Sequence, residues 1–240
     1  MMSRDIYSRF CALERTVPIF MQPWWLDATC GPDGWDVALV TDGGHVQAAL
    51  PYRQRRRFGI EILSQPPLTP FLGPLLRDEG GKEPARLARQ KDLMQALIDA
   101  LPPYGYYGQN WSPEISNWLP FHWRGFKQTT RYTYTLPLAQ GEDALWQDMH
   151  GGARKEIRKA TGRFGVRLRK DAALGDFLAL NGLTFARQGK AVPYDRALVE
   201  RLDAACSMKG CRKIFIAEDE LGNAHAGAFI VWDAKKAYYL

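Results

Sequence analysis

One strand-and-turn pattern occurs twice, and it limits the possible folds more than any other feature. Residues 35–63, WDVALVTDGGHVQAALPYRQRRRFGIEIL, and residues 212–240, RKIFIAEDELGNAHAGAFIVWDAKKAYYL, follow one plan. Each reads as a strand, an acidic glycine-containing turn, a longer strand, a short basic or polar link and a third strand. The turns lie at Thr41-Asp42-Gly43-Gly44 and Glu220-Leu221-Gly222-Asn223, where Gly and Asn tolerate the backbone angles a hairpin needs. Such a recurrence predicts two related α/β units in tandem. Helix, hairpin and third strand in each give a layered α+β plan, with mixed, mostly antiparallel sheets flanked by helices. The units are expected over 1–137 and 138–240. The first copy runs on into further elements and the second stops at Leu240, so the second unit is expected to be incomplete, a C-terminally truncated copy.

Between the copies, Gln65 to Leu76 holds four prolines in twelve positions and predicts an extended, irregular segment. Helical spacing returns over Pro84 to Leu101, and Arg131 to Leu138, RYTYTLPL, alternates as a strand would. A basic helix is predicted over 145–164: Leu145, Met149, Ala153, Ile157, Ala160 and Phe164 recur at steps of three and four, placing them on one stripe. Arg154, Lys155, Arg158 and Lys159 fall opposite. Two further helices are predicted at Asp176 to Arg187 and Asp195 to Met208.

The charge is concentrated in the same region. From His150 to Lys213 there are 15 Lys and Arg against 6 Asp and Glu, a balance of +9 within a chain of net +6. A basic region of this kind suits a phosphate-bearing partner such as a nucleotide, a coenzyme or RNA. No run of eighteen apolar residues is present, so no membrane span is expected, and charges interrupt the first twenty residues where a secretory leader would be apolar. Cys11, Cys30, Cys206 and Cys211 form no C-x-x-C pair. Reduced thiols in a cytoplasmic protein are the simplest expectation, with no metal site.

Several segments resemble the Fem-type aminoacyltransferases, a branch of the acyl-transferase (GNAT) superfamily built from two such units. Gln22-Pro23-Trp24-Trp25 resembles that family's Gln-Ser-x-x-Trp segment. Phe71-Leu72-Gly73-Pro74-Leu75 resembles its Arg-Gly-Pro turn, with Leu72 where Arg often stands. Arg154 to Ala160 followed by Gly165-Val166 resembles its basic helix and exit, and Thr184 to Arg187, AGAFIV and AYYL resemble its second unit. The resemblance implies transfer of an acyl or aminoacyl group from a thioester or ester donor, acyl-coenzyme A or aminoacyl-tRNA, to an amine. The acceptor it implies is a cell-wall or polysaccharide precursor such as that of peptidoglycan, and the donor is a substrate, not a covalently bound cofactor.

Chemistry of this kind needs position, an oxyanion stabiliser and a proton acceptor, but no covalent nucleophile. The sequence has no G-x-S-x-G elbow, and His45, His122, His150 and His225 suit structural or exposed roles, so no catalytic residue is singled out. Lys155, Arg158 and Lys159 are the first candidates for binding phosphate, since guanidinium forks and ammonium groups suit phosphate oxygens; a solvated helix face equally accounts for them. Arg187, near a helix end, and Tyr194, after Pro193, are further candidates for contacting substrate. Trp24, Trp25, Gln65 and Thr69 are expected to line a cleft in the first unit, as proline-rich segments at sheet ends often do. The alternative is a non-catalytic binding module for RNA or an anionic glycan, resting on the +9 region and its neighbouring aromatics.

Overall fold

The computed structural model describes residues 2–240. It opens with α1 (Ser3–Leu13), a short 3-10 turn (Ile19–Met21) and α2 (Pro23–Cys30), followed by β1 (Trp35–Asp42), β2 (His45–Arg57) and β3 (Ile60–Ser64). Next come β4 (Leu75–Leu76), α3 (Glu83–Asp99), β5 (Tyr106–Gly108) and α4 (Leu119–Trp123). The second half contains α5 (Glu142–Asp148), α6 (Gly151–Arg163), β6 (Arg167–Lys170), α7 (Leu174–Arg187), α8 (Arg196–Met208), β7 (Arg212–Glu218), β8 (Ala224–Trp232) and β9 (Ala237–Tyr239).

Two sheets result. In the first, β1, β2 and β3 form an antiparallel meander, β4 pairs with β2, and β5 adds parallel to β3. The second has the order β6-β7-β8-β9 and is antiparallel throughout. Residues 46–52 of β2 are all buried, because helices cover both faces of the first sheet. Val37, Val46 and Ala49 pack with Tyr7 and Leu26 on one side. Ala38, Ala48, Leu50 and Tyr52 pack with Leu93, Met94, Leu97 and Phe121 on the other. In the second sheet burial alternates, with Ile214, Ile216, Phe229 and Val231 facing Phe177 of α7 and Leu202 of α8, as expected of a sheet covered on one face.

The repeated plan survives in three dimensions. β1-β2-β3 and β7-β8-β9 have the same strand order, and each first hairpin shifts register near the end of its leading strand, between Val40 and Thr41 and between Ala217 and Glu218. Moving the first copy's numbering forward by the offset that superimposes Trp35 on Arg212 brings the two irregularities onto the same pair of positions. A bulge is a built feature that bends a strand, so its recurrence marks equivalent hairpins. The same offset carries α2 onto α8, and these two helices pack against each other at the join. One apolar cluster therefore draws Ile19, Phe20, Trp25 and Ala28 from the first half together with Phe177, Leu202, Cys206 and Ile214 from the second.

Two sequence expectations are corrected here. The single helix over 145–164 is two helices that break at Met149-His150. The extended Met149 and His150 interrupt the helical backbone, and His150 caps α6 by accepting from the Gly152 N–H at 3.2 Å. Adjacent glycines are poor residues for a helix interior, which favours a restart at that point. Nor does the apolar stripe pack, since α6 has no buried residue and Ile157 and Phe164 are exposed. The strand expected at Arg131 to Leu138 is absent. Tyr132 is 94% exposed and the segment pairs with no edge, and alternation makes a strand only where a neighbour accepts its hydrogen bonds.

Candidate functional site

A cavity of about 930 Å³ lies along the edge strand β5, lined by Tyr104 to Pro113 and by Arg124 to Arg131 of the segment after α4. At one end of it the proline-rich segment after Ser64 runs beside the Gln109 to Pro113 stretch after Gly108, with Leu72 bridged to Trp111.

Backbone and amide hydrogen bonds hold these loops in place. The Gln65 side chain accepts from the Asn110 N–H at 2.7 Å and donates to the Thr69 carbonyl. Gln109 accepts from the Gly73 N–H at 3.1 Å and from the Tyr107 hydroxyl at 3.0 Å, and donates to the Pro51 carbonyl at 2.9 Å. Leu72 donates its N–H to Asn110 at 2.8 Å. Gly73 has φ +93°, and a Cβ there would lie 2.8 Å from the Trp111 ring, so glycine alone allows the segment to approach the indole this closely. Leu72, at the position where the resembling family often has Arg, is buried beneath this staple.

Aromatic rings form the floor. Trp111 and Phe121 meet at 4.7 Å, Phe121 and Phe126 at 5.0 Å, and Tyr107 and Phe126 at 5.4 Å. Burial raises the Tyr107 phenol above its ordinary value, so it stays protonated at neutral pH and serves as a hydrogen-bond group, not an anion. The rim carries Arg124, Lys127 and Arg131. Arg124 is paired with Asp99 at 2.5 Å, whereas Lys127 and Arg131 have no carboxylate within ion-pair distance among the described residues. The arrangement can therefore hold a flat or apolar group on its floor with an anion at its mouth, by stacking and charge.

Of the four residues expected to wall a cleft together, only Gln65 lines this one. Trp25 and Thr69 are buried and hydrogen-bonded to each other, with the Trp25 indole N–H donating to the Thr69 hydroxyl at 3.0 Å. Trp24 is half-buried, edge-on to Trp25. The expectation is corrected for Trp24, Trp25 and Thr69: both indoles lie on α2, the helix that packs against α8, and the join takes them up.

Lys155, Arg158 and Lys159 lie on α6 with exposed side chains, and none of them lines this cavity or the small one at the join. Arg158 stacks over Trp146 at 5.5 Å, and Lys159 sits 3.7 Å from Glu156. Arg187 is exposed at the end of α7. Tyr194 is half-buried, donates to the Asn181 side chain at 2.5 Å and meets Phe185 edge-on; burial raises its phenol above the usual value. The sequence-predicted residues thus do not share one site: they divide among this cavity, the join, α6 and the region of α7. The cavity itself was signalled only by the aromatic run Tyr104 to Trp111. Its cations Arg124, Lys127 and Arg131 lie in the stretch after α4, where no dense charge cluster marks them in the sequence.

A second, small cavity of about 50 Å³ lies where the halves meet. Asp233 closes it by accepting from the Ile19 N–H at 3.2 Å and from the Tyr238 hydroxyl at 3.3 Å. Lys236 reaches Glu114 at 2.5 Å across the same join. No group of three or more metal-ligating side chains converges among the described residues, and no helix there is long and apolar enough to cross a membrane.

Sequence comparison finds no matching family model and no matching curated protein. Structural comparison does find a match. The fold is Fem-like: it is similar to the crystal structure of FemX with a TM-score of 0.65 and 12% identity, over 100% of this chain and 78% of that one.

Proposed function

We propose that the protein is an acyl or aminoacyl transferase that moves its group from a thioester or ester donor to an amine. The observation that carries this reading is the aromatic-floored cleft along the edge strand β5, rimmed by Lys127 and Arg131, in a chain whose fold is similar to that of FemX. In the step itself the amine nitrogen forms a bond to the carbonyl carbon and the C–S or C–O bond breaks. The amine's proton passes to solvent or to the leaving group. Such a reaction depends on holding two substrates in register and asks for no nucleophile from the enzyme, in keeping with four cysteines that are buried or half-buried.

The cleft suits a substrate with a ring system and phosphates: the donor acyl-coenzyme A or aminoacyl-tRNA, or a nucleotide-linked cell-wall precursor as acceptor. Lys155, Arg158, Lys159, Arg187 and Tyr194 are proposed as a second contact region for the longer of the two substrates. An exposed basic helix with no buried residue is free to meet a large anion. A cytoplasmic location accords with donors of these classes.

The experiment is a binding and turnover series. Acetyl-coenzyme A, an aminoacyl-tRNA and a nucleotide-linked muramyl peptide are titrated separately, and then donor and amine acceptor are combined with labelled acyl group. Saturable binding of one donor and transfer of label to the amine are expected, and Lys127→Ala with Arg131→Ala should raise KM about tenfold or more with kcat less affected. Absence of binding to every donor, or binding that the rim substitutions leave untouched, would remove the cleft from the reaction.

A further inference from the structure

The turn joining β2 to β3 is built against the preference of its own backbone. Arg57 pairs with Ile60, leaving Phe58 and Gly59 as a two-residue loop with φ of +49° and +79°. Two positive angles identify a type I′ turn, whose first position favours Asn, Asp or Gly. A bulky residue rarely adopts this region. Packing does not explain the choice, because Phe58 is 87% exposed.

The surroundings of Phe58 are equally unusual. β2 leaves β1 at the Trp35 and Arg53 pair, and β5 joins β3 only from Ile62, so residues 55–61 project from the sheet as a finger. Arg55, Arg56 and Arg57 are all exposed along it. The sole acid on the finger, Glu61, lies 3.5 Å from Arg56. Ile60 is 50% exposed beside the tip, Tyr106 at the root is 58% exposed, and the Arg57 guanidinium sits 5.1 Å from the Phe58 ring. Arginines alone would be the ordinary protection of a strand edge. An aromatic tip inside a basic collar is not explained that way.

We infer that this finger docks the protein reversibly on an anionic lipid bilayer. Phe58 and Ile60 enter the interfacial layer, where aromatic rings are favoured, and Arg55, Arg56 and Arg57 meet lipid phosphates with their aliphatic stems lying along the apolar boundary. A spanning helix is not required for such attachment. Single-stranded RNA fits less well. It is held by several aromatic faces on which bases stack in succession, and here a single ring occupies the tip, with Arg57 5.1 Å from it and the aliphatic Ile60 beside it. The inference does not depend on the transferase reading, although Tyr106 at the finger's root also lines the large cleft.

The test is flotation of the full chain with vesicles of phosphatidylcholine alone and with added phosphatidylglycerol. Binding only to the mixed vesicles, weakening as salt rises, is expected. Each Arg→Gln change at 55, 56 and 57 should lower partitioning about fivefold. Phe58→Asn places the favoured residue in the turn, so the variant should fold at least as stably and yet bind several-fold more weakly. In parallel, Phe58→Trp should blue-shift on binding and be quenched by brominated lipid. Failure to bind mixed vesicles, or equal binding by Phe58→Asn, would overturn the inference. So would loss of binding on Lys155→Gln, Arg158→Gln and Lys159→Gln with the finger intact, or tighter, Phe58-dependent binding to polyuridylate.

Discussion

The indole N–H of Trp25 donates to the hydroxyl of Thr69 at 3.0 Å with both residues buried, tying α2 to the proline-rich segment that walls the cleft. Trp25 also faces Phe20 edge-on at 4.9 Å inside the cluster shared by both halves. An indole offers only a donor, so Thr69→Val strands it in an apolar core and should destabilise the protein by about 1–3 kcal/mol. Trp25→Ala should lose about 3–5 kcal/mol through the cavity it leaves. Urea unfolding of both variants measures this, and equal stabilities for Thr69→Val and wild type would mean the bond contributes nothing net.

Gly73 is where the cleft wall should be most fragile. Alanine would face both the positive φ and a Cβ 2.8 Å from the Trp111 ring. Gly73→Ala should destabilise the fold by about 2–3 kcal/mol, the range for a forced backbone conformation, and should alter Trp111 fluorescence as the ring moves aside. Gly43→Ala makes a useful control, because its φ is also positive but open space surrounds it. It should cost less and leave Trp111 unchanged.

Acid should loosen the β7–β8 turn before the core. The Asp219 carboxylate accepts from the Asn223 side chain at 2.9 Å, the Asn223 N–H at 2.8 Å and the Leu221 N–H at 3.0 Å, and it lies 3.1 Å from His225. Asn223, followed by the other donors, holds its pKa down from 3.8 to about 2. Because the folded value lies below the unfolded one, its contribution is fully present above the unfolded pKa and is lost as pH falls through the folded value. The difference in thermal midpoint between wild type and Asp219→Asn should therefore be constant at neutral pH and shrink between about pH 4 and pH 2. A pH-independent difference would contradict this.

At the join, two carboxylates should differ sharply. Asp233 accepts from the N–H groups of Ile19, Lys235 and Lys236 and from the Tyr238 hydroxyl. Asp233→Ala leaves several donors unmet and should cost about 2–3 kcal/mol. Glu114 forms one short contact to the half-buried Lys236, but its own side chain is mostly exposed. A pair of that kind is worth at most about 1 kcal/mol, so Glu114→Gln should be nearly neutral. Urea midpoints for the two variants settle the order.

The repeat was legible in the chain because strand alternation and glycine turns are local properties, written within thirty residues. The paired hairpins from Trp35 and from Arg212, the irregular prolines and the helices over Glu83–Asp99, Leu174–Arg187 and Arg196–Met208 all follow from spacing alone. Arg131 to Leu138 has the same alternation and forms no strand, since a strand also needs an edge to pair with. Trp25 is the other instructive case. Its bulk announces burial, but only the packing of α2 against α8 decides that it belongs to the join and not to a cleft wall. Which cations meet the cavity was undecidable from sequence for the same reason. Lys155, Arg158 and Lys159 stand out by density along the chain, whereas Lys127 and Arg131 reach the rim because the segment after α4 lies against β5, with Phe126 packed on Tyr104 and Tyr107. Local chemistry fixed the elements, and the long-range burial of apolar faces selected which side chains share a cavity.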